Sequence, residues 1–183
     1  MRRVYLFMMV SLDGYFEGED HDLSWHNVDG EFNDFAHEQL RETGTLLFGK
    51  RSYDLMAGFW PTPQGQADDK EIAATMSALP KVVVSNRPVR PSWQPTKVVT
   101  ANVHEEITKL KLESGKSIAI LGSNALCVSL MEAALVDEFR LMVNPVAIGK
   151  GTPLFAGLAK RVKLNFVGSR VFKNGNVLNR YSN

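Results

Sequence analysis

Short apolar segments alternate with helical patterns along most of these 183 residues, and Asn174-Gly175 marks a closing hairpin; together they predict an α/β domain. The sheet is expected to be mixed but mostly parallel, with helices on both faces and an antiparallel hairpin near the carboxyl end. The length suits a single domain spanning residues 1–183 around one sizeable core, and there is no internal repeat and no linker that would split it.

The elements follow in order. Residues 4–10, VYLFMMV, form a continuous apolar run, the pattern of a strand covered on both faces. A polar, glycine-bearing loop is expected from Ser11 to about Asp29, then a helix over 31–42 carrying Phe32, Phe35 and Leu40 and ending at Gly44. Thr45 to Phe48 reads as a second strand and Lys50 to Ala57 as a short helix. GFWPTPQGQ is a loop by its Pro and Gly content, and DDKEIAATMSAL a helix stopped by Pro80. KVVVS at 81–85 is a strand, VRPSWQP an irregular link and KVVT another short strand. A helix over 103–113, a strand over 117–122, a helix through SNALCVSLMEAAL and a strand over 137–146 complete the alternation before VKLNFVGSRVF and NVLNRYS flank the hairpin turn.

Composition narrows the function classes. Hydrophobic residues at 44% and charged residues at 22% are ordinary for a globular chain and argue against disorder. A net charge of +1 gives no long-range field for nucleic acid or an anionic membrane, so any anion site must be a local arrangement. Cys127 is the only cysteine, which excludes a disulfide within the chain and any zinc site built on a Cys-x-x-Cys pair. It falls in a helical apolar pattern with Leu126 and Leu130, so it is expected to pack in the core. The opening MRRVYLFMMVSLDG superficially resembles a signal peptide, but its apolar run is short and lacks a small-residue cleavage site. No segment approaches the roughly 20 apolar residues that span a bilayer. A cytoplasmic protein acting on a small molecule is the expectation.

Open α/β sheets bind ligands beyond the carboxyl ends of their strands. Those ends here read Ser11-Leu12-Asp13-Gly14, Gly49-Lys50-Arg51-Ser52, Ser85-Asn86-Arg87 and Gly122-Ser123-Asn124-Ala125. The turns at 49 and 122 open directly into helices, whose free N–H groups and partial positive charge suit phosphate. Each turn alone is better read as a cap; four along one edge point to a dinucleotide cleft. GTLLFGKR fails as a phosphate-binding P-loop because Arg51 stands at the hydroxyl position and 45–48 is a strand. GKS at 115–117 leads into a strand, and no Gly-x-Gly-x-x-Gly is present. His21, His26, His37 and His104 lack metal-ligand spacing and lie in stretches expected to be solvated, and Ser123 lacks a Gly-x-Ser-x-Gly context.

MMVSLDGYFEG, LLFGKRSYDLMAGFWP, KVVVSN, IAILGSNALCVSLMEAALVDEFRLMVNPVAIGKGTPLF and the closing hairpin resemble the dihydrofolate-reductase-like domain, and more closely the reductase half of the bacterial riboflavin-biosynthesis deaminase-reductase and its stand-alone relatives. The resemblance covers nearly the whole chain. It implies that NADPH lies along the strand ends. Gly49, Lys50, Arg51 and Ser52 would then grip the pyrophosphate and approach the adenosine 2′-phosphate, with Ser85, Asn86 and Arg87 beside that phosphate. Gly122, Ser123, Asn124 and Ala125 would lie against the pyrophosphate and nicotinamide ribose, and Val10 and Ser11 beside the nicotinamide. Arginine holds a doubly charged phosphate through bidentate, charge-assisted bonds, so NADP is favoured over NAD.

Hydride transfer to a C=N or C=O group also needs a proton. Asp13 is the first candidate, as proton donor or substrate anchor, and its alternative is a plain Asp-Gly turn. Asp29, Glu31 and Asp34 lie where dihydrofolate reductases proper carry their acid. Trp25, Phe59 and Trp60 are available to stack on a heterocycle or to fold back onto the core. A zinc deaminase needs both His-x-Glu and Pro-Cys-x-x-Cys, and a chain with a single cysteine cannot supply the second, so the chain reads as a stand-alone reductase-like domain. A non-catalytic NADP(H)-binding or dimerising module is the alternative. A strict dihydrofolate reductase fits less well, because Ser-Leu-Asp-Gly and PVAIGKGTPLF point to the other branch. The resemblance also implies a homodimer, for which FRLMVNPVAI and TPLF offer apolar material that equally suits a core strand.

Overall fold

The computed structural model describes residues 1–183. Strands β1 (Val4–Val10), β3 (Thr43–Gly49), β4 (Lys81–Val84), β5 (Thr96–Val99), β6 (Ser117–Leu121), β7 (Glu138–Val143), β9 (Asn165–Val171) and β10 (Val177–Ser182) form one sheet in the order β5-β4-β3-β6-β1-β7-β10-β9. The first six run parallel; β10 is antiparallel to both β7 and β9. A separate two-stranded piece pairs β2 (Tyr15–Glu17) with β8 (Thr152–Pro153).

Parallel strands need crossover helices, and these cover both faces. Alternate β1 side chains divide between two layers. Tyr5 faces α1 (Gly30–Glu42), α2 (Lys50–Ala57) and α4 (Lys70–Ala78) in a core with Leu40, Phe48, Tyr53, Ile72 and Met76. Val4, Leu6, Met8 and Val10 face α5 (Val103–Leu112) and α6 (Asn124–Glu132), packing with Ile107, Leu126, Cys127 and Leu130. A smaller cluster of Met9, Phe35, Met142, Phe172 and Leu178 continues the first layer under the hairpin. Cys127 is fully buried, and burial pushes its thiol up to about 12.

Three local readings are corrected. Gly44 does not stop α1: the helix runs straight into β3, and the β3–β6 register shifts between Thr43 and Thr45. The loop expected at 58–66 contains the start of a further short helix, α3 (Pro63–Asp68), begun by Pro63 with the Thr62 hydroxyl accepting from the Gly65 amide. β7 ends at Val143, three residues before the sequence pattern does: the Asn144 amide makes a last bond to the Val10 carbonyl of β1, and Pro145 has no N–H to carry the ladder on. Of the residues considered for a dimer contact, Phe139 and Met142 are fully buried and Leu154 nearly so, whereas Pro145, Ala147 and Pro153 are exposed. Edge strand β9 carries three exposed apolar side chains, Phe166, Val167 and Val171.

The amino-terminal end of the sheet holds a buried ionic cluster. Arg140 donates to Glu138 at 3.0 Å and to Glu42, and lies 4.0 Å from the centroid of the Tyr5 ring. Glu138 also meets Arg3 at 3.0 Å. Removing one partner of such a pair strands the other charge in a dry site. Glu138→Ala is therefore expected to lower stability in urea unfolding by about 3 kcal/mol, whereas Lys97→Ala, which breaks an exposed pair with Glu106, leaves the midpoint unchanged.

Candidate functional site

The strand order places the turns after β4, β3, β6, β1 and β7 side by side along one edge. Two of them interlock. A Cβ on Gly49 would lie 2.4 Å from the Ser123 hydroxyl, and one on Gly122 would lie 2.7 Å from the Ser52 hydroxyl. Glycine at 49 and 122 thus lets the loops after β3 and β6 close against each other, each presenting a serine to the other's backbone. Gly122 has φ +90° and Ser123 φ +80°, so a non-glycine residue is held in a costly conformation where α6 begins.

Two helix amino ends meet at this point. Gly49 caps α2 without any side-chain hydrogen bond, so the first amides of that helix keep their donors. Ser123 caps α6 through a long 3.4 Å contact from the Leu126 amide. The paired helix ends form an electropositive step lined by Gly49, Ser52, Gly122 and Ser123, which suits a diphosphate.

The cations around this step are not equivalent. Arg51 reaches to Glu17, one guanidinium nitrogen lying 2.6 and 2.5 Å from the two carboxylate oxygens. Glu17 is buried and also accepts from the Thr152 hydroxyl at 2.8 Å, with His21 Nδ1 at 3.2 Å. Burial alone would push the Glu17 carboxyl up, but the Thr152 hydroxyl and the Arg51 guanidinium hold it below the ordinary carboxylate range. Lys50 pairs along its own helix with Asp54. Ser85 is buried and accepts from the Arg87 amide, while Asn86 and Arg87 are exposed beyond β4. Val10 and Ser11 are buried at the end of β1, and Asn124 and Ala125 open α6.

Asp13 has both oxygens engaged. The Ser11 hydroxyl donates to it at 2.6 Å, and the Ile148 and Gly149 amides at 3.2 and 2.8 Å. The Ser11 hydroxyl, followed by these amides, holds the carboxyl below its usual range, so Asp13 is an ionised latch on the 146–149 loop. Asp29 caps α1, accepting from the Phe32 amide at 2.9 Å. Glu31 accepts from the Lys173 amide and Arg170, which lower its pKa. Asp34 is exposed, on the side of α1 away from buried Phe35. Of the aromatic residues, Trp60 packs onto the core with its ring N–H on Met56, Phe59 stacks edge-on against Trp60, and Trp25 folds onto His26 and the Asp22 carbonyl.

Sequence reading missed a polar knot beside β1. Asn144, fully buried, donates to the Val10 and Met142 carbonyls and accepts from the Asn27 amide at 2.8 Å. Asn27 in turn bonds Asn174 and Asn176 of the hairpin. The Asn-Pro pair at 144–145 was the available signal. It also missed Glu17 and Thr152, which lie in β2 and β8; three- and two-residue strands carry too little pattern to detect. Here Gly151 is required, because a Cβ there would lie 2.1 Å from the Glu17 carbonyl. His26 corrects the expectation of four solvated histidines: its Nε2 is buried without a partner. An open polar concavity of about 670 Å³ lies between residues 18–21 and 149–152.

Residues 2–178 match the family described as the RibD C-terminal domain. The chain is 34% identical over 176 residues to the uncharacterized protein YyaP of Bacillus subtilis (strain 168), covering 95% of this chain and 91% of that one. Its fold is similar to that of a diaminohydroxyphosphoribosylaminopyrimidine deaminase/5-amino-6-(5-phosphoribosylamino)uracil reductase from Thermotoga maritima, with TM-score 0.70 and 15% identity over 99% of this chain and 56% of that one. A dihydrofolate reductase from Enterococcus faecalis, complexed with NADP(H), superposes with TM-score 0.66 and 15% identity over 98% and 95% of the two chains. No helix is long and apolar enough to cross a membrane.

Burial pushes the His26 imidazole down to about 4 from an ordinary 6.5. The unfolded chain then binds the proton more readily, so stability falls as pH drops through that interval. Urea midpoints measured from pH 6.5 to 4 should show this slope and should flatten in His26→Gln. Asp13→Ala is expected to speed hydrogen exchange at the Ile148 and Gly149 amides, which lose their acceptor.

Proposed function

Because the chain belongs to the RibD C-terminal domain family, we propose that it is an NADPH-dependent reductase of a small heterocycle, pterin- or pyrimidine-like, or of a small carbonyl compound. The observation that carries this reading is the interlocked pair of helix amino ends, Gly49 against Ser123 and Gly122 against Ser52. When bound, NADPH would supply the hydride from its nicotinamide ring. The chain's own task is to hold and aim it. The amides at the start of α2 and α6 would take the pyrophosphate, with Ser52 and Ser123 beside them. Val10 and Ser11 would border the nicotinamide, one strand further along the edge.

Two basic residues divide in direction. Arg87 follows β4, on the outer side of β3, whereas Arg51 extends the opposite way, toward β2. We therefore read Arg87, with Ser85, Asn86 and Lys50, as the 2′-phosphate side and Arg51 as the pyrophosphate side. Asp13 serves as a loop anchor that shapes the substrate mouth. Pairing of two copies would use the exposed β9 edge, where Phe166 and Val171 are free of the core.

A second reading, a nucleotide-binding module without turnover, is favoured by the engagement of Asp13, Asp29 and Glu31, which leaves none of the three poised to give a proton. NADPH consumption, followed by absorbance across pterins, pyrimidines and small carbonyls, separates the two. Calorimetry should give a micromolar Kd for NADPH. Arg87→Ala should weaken NADPH about tenfold and leave NADH unchanged, since a charge-assisted bond to phosphate is lost. Arg51→Ala should weaken both nucleotides alike. Equal weakening by Arg87→Ala would remove that residue from the 2′-phosphate.

A further inference from the structure

Arg51 and Glu17 come from opposite sides of the β6 turn. Arg51 opens the helix after β3, Glu17 ends the strand after β1, and β6 lies between β3 and β1. Their ion pair therefore ties together, like a strap, the segments that follow the two strands flanking β6.

The two halves of the strap differ in freedom. The Glu17 side chain is 5% exposed and is fixed by the Thr152 hydroxyl and by the close β2–β8 backbone contact at Gly151. The Arg51 side chain is 55% exposed and ends a flexible stem at the first turn of α2. A carboxylate offers a guanidinium the same paired oxygens as a phosphate does. The residue best placed to meet an anion at the helix ends is thus already holding one supplied by the chain itself.

We propose that Glu17 is a built-in competitor for the pyrophosphate of the nucleotide: it holds Arg51, and the incoming diphosphate takes the guanidinium from it. The inference rests on the NADPH reading above and adds what sets the affinity. Exchange of one anion for another is nearly balanced at the guanidinium, so binding is weaker than an unpaired arginine would allow. It also releases β2 from α2, because Arg51 is the side-chain bond that joins them. Thr152 stays on Glu17 when Arg51 leaves, while His21, which touches both side chains, loses its 3.3 Å contact with Arg51.

The test is calorimetric titration of NADPH into the wild-type protein and into Glu17→Gln, which keeps an acceptor for Thr152 but not the charge. The expected result is roughly tenfold tighter binding to the variant, the scale of one charge-assisted contact. Unchanged or weaker binding to a folded variant, with the wild type still binding, overturns the competitor role and leaves the reductase reading standing. Failure of both proteins to bind NADPH overturns both. Should Glu17→Gln not fold, hydrogen exchange on the wild type decides: faster exchange at residues 15–17 on saturation with NADPH supports release of β2, and unchanged or slower exchange there overturns it.

Discussion

A run of parallel strands delivers each strand's carboxyl end, and the amino end of each following helix, to one edge of the sheet. Six adjacent parallel strands impose that constraint here, and the rest of the molecule is arranged around it. Polar and glycine-rich turns gather along the edge because the strands themselves are covered on both faces and have no polar side to offer. The opposite edge carries the Arg140–Glu138 cluster, which charges the far end of the sheet without entering the candidate site.

Crowding at the edge gives the turns their residue types. Where β3 and β6 end next to each other, two loops must fit into the width of one strand spacing, and a side chain at 49 or 122 would collide with the facing serine. The glycines that look like generic phosphate-loop glycines therefore have a packing reason of their own. The closer the two loops lie, the closer together their helix ends present unfilled N–H groups.

The parallel sheet, the two-sided core, the hairpin and the row of strand-end residues were all legible in the sequence, because period and punctuation carry that information over elements of four to thirteen residues. The β2–β8 pairing was not, since a strand of two or three residues has no period to read. Glu17 and Thr152 were consequently invisible as a pair, and Arg51 looked free when it is bound. Asp13 was legible as a residue of interest, but its bonds to Ile148 and Gly149 were not: these donors lie more than a hundred residues away and are backbone amides, which leave no trace in side-chain identity. His26 was misread for a related reason, since a polar neighbourhood in sequence is no guide to burial once Trp25 and the Asn27 knot fold over it.

The central place of β1 has a cost in time. Its seven apolar residues are made well ahead of both of its neighbours, β6 and β7, which begin more than a hundred residues later. At ribosomal elongation rates the segment waits on the order of ten seconds for its partners. During that interval VYLFMMV is an uncharged, β-prone heptad without Pro or Gly, the composition that aggregates when unprotected. The flanking Arg2 and Arg3 on one side and Asp13-Gly14 on the other act as gatekeepers for the nascent chain, a duty quite separate from anything they do once the sheet has closed.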